Sequence, residues 1–343
     1  MSISETKAEV EAALLSFAWD EWAQMGVLAT PTRVSPWAQD PEALLAFTFD
    51  LARADPRLFD EVLDWLLTNE HLISVRRLRS VSRDPSDRDL TEAVLGWLSQ
   101  HRPKARFSSA TTREPVGPLR PVHADAGFPI RHPDEAFAER GWLRPATTAS
   151  GKSTAPDMRA PINFAFRLRE LLGINARAEV VRLLLTTDAP RTTVAVIAKS
   201  AMYAKRNVQE VLNGLEDAGA VTVVSSGYEQ RYAIQRDGWA ALLAVDAFPA
   251  HVDWVQLLTG LRRALGWLRH AEDADMSEYI ASSEARDLLE AVRRDFEYAG
   301  IVVPRRRTAA GAVDDLGDVL RHALAALHGR SITRDVNQVG FDL

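Results

Sequence analysis

The sequence predicts a mainly α-helical protein interrupted by one short β-hairpin. Three observations carry that prediction. Apolar residues recur every three or four positions through much of the first and last hundred residues, as the buried face of a helix requires. Asp40-Pro41 and Asp55-Pro56 are helix starts, because Asp accepts from free N–H groups and the fixed φ of Pro suits the first helical position. Only near Val221–Ile234 does the apolar period fall to two, at Val221 and Val223 and again at Tyr232 and Ile234.

The elements follow in order. Ala8 to Met25 reads as a helix through Val10, Leu14, Phe17 and Trp22. After Pro31 and Pro36, Asp40 opens a helix carrying Leu44, Leu45, Thr48 and Leu51. Asp55 opens another through Phe59, Val62, Leu63 and Leu66, and a further helix spans Asp87 to Gln100. About half of the 17 prolines then fall between His101 and Pro161, and the period is lost. That stretch reads as an extended connector with Phe128, Phe137 and Trp142 as its packing residues and a brief helix near Asp134 to Arg140. Beyond residue 245, helices are expected over His251–His270, up to Tyr298 before Gly300, and over Val313–Leu327. The expected organisation is a helical N-terminal domain (1–100), a Pro-rich connector (101–161), a central module (162–245), a helical C-terminal region (246–330) and a tail (331–343).

Composition narrows the function classes. A chain of 343 residues with 46% hydrophobic content is globular and long enough for two or three domains. No apolar run approaches a membrane span, and the acidic amphipathic start lacks the pattern of a secretory signal. The absence of cysteine excludes disulfides, thiol nucleophiles and cysteine-bound zinc, and fits a cytoplasmic protein. The net charge of −6 is unevenly spread. Acids dominate before His71, whereas arginines crowd the chain from Arg76 to Arg177. That asymmetry fits a nucleic-acid surface, or simply heavy arginine usage.

The central module is the most informative stretch. Val180, Val181, Leu184 and Leu185 form one helical stripe, and Thr192 or Thr193 can cap a second helix with Val194, Ile197 and Ala201 inward. Val208, Val211, Leu212 and Leu215 mark a third. Gly219 sits where a left-handed cap is needed, and Ser226-Gly227 supplies a hairpin turn. Three helices followed by a hairpin is the order of a winged helix-turn-helix. The run IAKSAMYAKRNVQEVLNGLEDAGAVTVV, closed by RYAI, resembles bacterial winged-helix transcriptional regulators, the broad group that includes MarR-like and ArsR-like families.

That resemblance implies double-stranded DNA as partner, a homodimer on two-fold sites, and a third helix that reads the major groove. At 100° per residue, with Val208 inward, Arg206, Glu210, Asn213 and Asp217 face outward. Arg206, Gln209 and Asn213 are candidates for base edges, since Arg pairs with guanine and Asn or Gln with adenine, and Asn207, further round the helix, is a further DNA-contact candidate. Tyr203, Lys205, Arg191, Gln230 and Arg231 are candidates for phosphates. The Trp254–Leu268 stripe is the candidate dimer interface. The alternative reading is a protein-interaction or antitoxin-like subunit whose winged helix contacts a protein partner, the N-terminal helical domain being a further candidate surface for one.

Nothing in the sequence carries catalysis. ATTASGKS at 146–153 fits a relaxed phosphate-loop pattern, but no apolar strand precedes it and Pro156 would interrupt a helix opened at Lys152. The eight histidines are scattered without carboxylates at ligand spacing. No cofactor, metal or enzymatic activity is expected.

Overall fold

The computed structural model describes residues 2–82, 85–102, 118–124, 129–189, 191–226, 229–301, 303 and 311–327. Phe128, Gly227 and the 331–343 tail, named above, lie outside the described residues. Those that are described are mainly helical, and none of their helices is long and apolar enough to cross a membrane.

The chain divides into two units. One consists of Met1–Ser16, Thr187–Pro190 and His251–Leu343, and the other of Phe17–Thr186 and Arg191–Ala250. The first helix, α1 (Ile3–Gln24), contributes to both. This division does not follow the five segments expected from sequence.

In the larger unit, α2 (Pro41–Leu51) and α3 (Pro56–Asn69) start as their sequences require. Asp40 and Asp55 accept from the N–H groups of Ala43 and Leu58, and Pro occupies the first turn of each helix. Ser74 caps α4 (Val75–Val81), which precedes α5 (Pro85–His101). Burying one large apolar side chain is worth about 1.5–3 kcal/mol, and here tryptophans supply much of the core. The rings of Trp22 and Trp65 lie 5.1 Å apart. Both indole N–H groups are satisfied, Trp22 donating to Thr48 Oγ1 and Trp65 to the Met25 carbonyl.

Residues 129–161, part of the expected Pro-rich connector (101–161), pack in this same unit. Asp134 caps α6 (Glu135–Ala138), and β1 (Arg120–Pro121) pairs in parallel with β2 (Trp142–Leu143). Arg144 is fully buried, with its guanidinium 4.8 Å from the Phe137 ring centroid and an ion pair to Asp60 at 2.6 Å. A charged side chain here does the space-filling that periodicity arguments reserve for apolar residues.

The ATTASGKS loop is wrapped around a carboxylate of the chain itself. The N–H groups of Gly151 and Ser153 donate to Asp64, as does the Ser150 hydroxyl. Burial raises the Asp64 pKa, but these donors outweigh it and hold the carboxyl below its ordinary range.

Next come α7 (Phe164–Leu172), α8 (Ala176–Thr186), β3 (Thr192–Thr193), α9 (Val194–Ala201), α10 (Lys205–Asp217), β4 (Val221–Ser226), β5 (Glu229–Ile234) and α11 (Arg236–Leu243). The strands form an antiparallel sheet in the order β3-β5-β4, with Val221 opposite Ile234 and Val223 opposite Tyr232. The hairpin expected from sequence therefore gains a third short strand. Thr193 caps α9, and Gly219 follows α10 at φ +70°. Val180, Val181, Leu184, Ile197, Val208, Leu212 and Tyr232 share one core.

The smaller unit contains α12 (Trp254–Asp273), α13 (Glu278–Tyr298) and α14 (Ala312–Leu327). Here the structure corrects one expectation. The Trp254–Leu268 stripe is not available as a dimer interface: Trp254, Leu257, Leu261, Leu265 and Leu268 are at most 1% exposed within the chain itself. Gly260 explains how closely α12 and α13 pack, since a Cβ there would lie 3.0 Å from Asp295 Cβ and from the Phe296 ring.

Candidate nucleic-acid interface

The α10 helix presents one polar face because Val208, Leu212 and Leu215 anchor the other. Arg206, Glu210, Asn213 and Asp217 are all exposed, as helical geometry from Val208 requires. Lys205 is exposed in the first turn, and Ala204 leaves the helix start without a side-chain cap. Arg191, Gln230 and Arg231 are exposed as well, while Tyr203, Asn207 and Gln209 are half-buried.

Much of this face is engaged with itself. Arg206 pairs with Glu210 at 3.0 Å and Arg231 with Glu229 at 2.9 Å. The Gln209 amide donates to both Asn213 Oδ1 and the Tyr232 hydroxyl, and that hydroxyl donates to Gln230 Oε1. A hydrogen-bonded chain thus ties α10 to β5 and sets the hairpin's position against the helix. It also occupies three of the polar residues selected from sequence.

Tyr203 and Asn207 face α4 instead of open solvent. The Arg76 guanidinium lies 5.1 Å from the Tyr203 ring centroid. With the Asn207 amide turned so that its oxygen meets Arg76, that oxygen accepts from both terminal nitrogens at 3.2 and 3.3 Å. Burial raises the Tyr203 pKa, and the phenol stays protonated.

Beneath α4 lies an ion cage. Arg77 meets Asp40 at 2.6 Å and Glu42 at 2.7 Å, and its Nε–H donates to the Ala201 carbonyl at the end of α9. Arg169 meets Glu42 at 2.7 Å and Glu179 at 2.6 Å, and Arg182 meets Glu179 at 3.0 Å. All six side chains are at most 3% exposed. Three carboxylates face three guanidiniums, so the cage is balanced. Burial pushes the Glu179 pKa up, but Arg77, Arg169 and Arg182 pull it well below the usual carboxylate range. The cage joins α2, α4, α7 and α8, and through Ala201 it holds the α9–α10 turn.

Sequence reasoning noted Arg76 and Arg77 only as part of an arginine-rich stretch. The available signal was Ser74, a helix cap placed just before them. Among the described residues, no cluster of His, Cys, Asp and Glu could hold a metal ion. No family model, curated protein or solved structure matches the chain.

Proposed function

We propose that residues 176–234 form a winged helix-turn-helix and that the protein is a DNA-binding transcriptional regulator. On this reading α10 enters the major groove and the β4–β5 hairpin follows the backbone. The observation that carries the reading is the joined surface of α10 and β5, linked through Gln209, Tyr232 and Gln230. A helix and a hairpin fixed to one another can meet groove and backbone at once, with little ordering cost on binding. Exposed Arg191, Lys205, Arg206 and Arg231 supply cations for phosphates and bases.

The test is fluorescence anisotropy with duplex DNA from upstream of its own gene, at several salt concentrations. Binding should weaken steeply as salt rises. Arg206→Ala should reduce affinity for the preferred duplex more than for a random one. No binding at low salt, or binding indifferent to salt, would refute the proposal. Sedimentation with the duplex would count the chains bound, two being expected for a two-fold site.

A second reading, a protein-interaction subunit, is favoured by the composition of the same face. Arg206 and Arg231 already carry carboxylate partners, and Val224, opposite Arg231 in the hairpin, is 39% exposed. Isolation of a stoichiometric protein complex free of DNA would favour it.

A further inference from the structure

We infer that Arg76, on α4 and outside residues 176–234, is a phosphate-contacting residue, so that the DNA surface extends from α10 onto α4. This rests on the DNA reading above and adds an element to it.

Three observations lead there. The first is position. Arg76 reaches Tyr203 just before α10 and Asn207 within its first turn. Its guanidinium therefore lies at the N-terminal end of α10, where a recognition helix approaches the backbone.

The second is charge. Arg206 and Arg231, the sequence-level choices, are each paired with a carboxylate. Arg76 is exposed, and among the described residues no carboxylate pairs with it. Its contacts are an aromatic face and an amide oxygen, both neutral. An arginine carries five N–H donors, and one amide oxygen leaves several of them for a phosphate.

The third is rigidity. Arg77, the next residue, is locked by Asp40, Glu42 and the Ala201 carbonyl. Ser74 caps the helix while its own N–H donates to Glu42. The α4 backbone is thereby held against the α9–α10 turn, and the Tyr203 ring holds the Arg76 side chain. A guanidinium fixed in advance loses less freedom on meeting a phosphate than a mobile lysine does.

The experiment compares full-length wild type with Arg76→Ala, Arg76→Gln and Arg76→Lys on the upstream duplex and on a random duplex. Affinity is measured from low to moderate salt, with thermal melting of each protein alongside. Arg76→Ala and Arg76→Gln should lose affinity for both duplexes alike, roughly five- to tenfold at 0.1 M salt. The slope of log affinity against log salt should flatten by about one. Arg76→Lys should retain most of the slope. Arg76→Gln keeps a hydrogen-bonding side chain without the charge, so it decides the matter if Arg76→Ala folds poorly. If wild type binds and the Gln variant shows an unchanged slope, Arg76 is only a packing residue and this inference fails alone. If wild type binds no DNA at low salt, the DNA reading and this inference fail together.

Discussion

The cage of Asp40, Glu42, Arg77, Arg169, Glu179 and Arg182 and the group formed by Asp20, Glu21, Arg33 and Ser35 are both removed from bulk water, yet their hydrogen bonding differs. In the cage nearly every polar atom has a partner, Arg182 Nη1 being an exception. In the second group, Glu21 Oε2, Ser35 Oγ and all three Arg33 nitrogens lack a hydrogen-bond partner among the described residues. Arg33 Nε lies 3.3 Å from Asp20 Oδ2 and its guanidinium 5.6 Å from the Phe17 ring centroid. The pKa directions follow. Burial dominates at Glu21 and raises its carboxyl to about 8, against an ordinary 4.5, whereas in the cage the arginines win and Glu179 is lowered. Burial alone therefore does not decide the charge of a carboxyl here; the number of well-placed guanidiniums does.

Breaking the cage should have the largest effect. Arg169→Met leaves Glu42 and Glu179 buried with fewer partners and should cost about 3–5 kcal/mol in urea unfolding. A cost below about 1 kcal/mol would mean that the cage contributes little beyond filling space. Next in size is Glu21→Gln. The folded state keeps the Glu21 proton between pH 4.5 and about 8, while the unfolded state releases it. Stability therefore falls as pH rises through that window, and the loss is complete above it. Glu21→Gln should be a few kcal/mol more stable than wild type at pH 9, and the gain should vanish near pH 4. A gain independent of pH would show that Glu21 is ionised in the folded protein.

Arg33→Met sharpens the contrast from the other side. Measured near pH 6, it should cost about 1–2 kcal/mol, well under Arg169→Met, because fewer hydrogen bonds depend on it. Equal costs would erase the distinction between the two clusters. The smallest effect belongs to the exposed pair. Glu210→Gln should change stability by less than about 0.5 kcal/mol. By freeing Arg206 it should raise DNA affinity, a result that separates the two functional readings.

Local chemistry made much of the fold legible. Asp40, Asp55 and Thr193 cap the helices their positions implied, and Gly219 has the positive φ its place required. The register of Val221 and Val223 against Ile234 and Tyr232 follows from alternation. The α-helices not anticipated, α4, α7 and α11, are seven to nine residues long, too short for an apolar period to establish itself. On the candidate surface, the outward positions of Arg206 and Asn213 followed from one helical angle. The engagement of Tyr203 and Asn207 by Arg76 did not, since their partner lies on another helix.

By itself the sequence determined the helical class, most helix starts and stops, and the three-helix-and-hairpin order of 176–234. Each depends on residues within a few positions of one another, and short-range geometry suffices. Only the tertiary structure decided that Asp40 is both a helix cap and an ion partner, that the Trp254–Leu268 stripe is internal, and that α4 braces the start of α10. Those outcomes depend on which distant charges and apolar faces meet and exclude water together, and no local pattern encodes that.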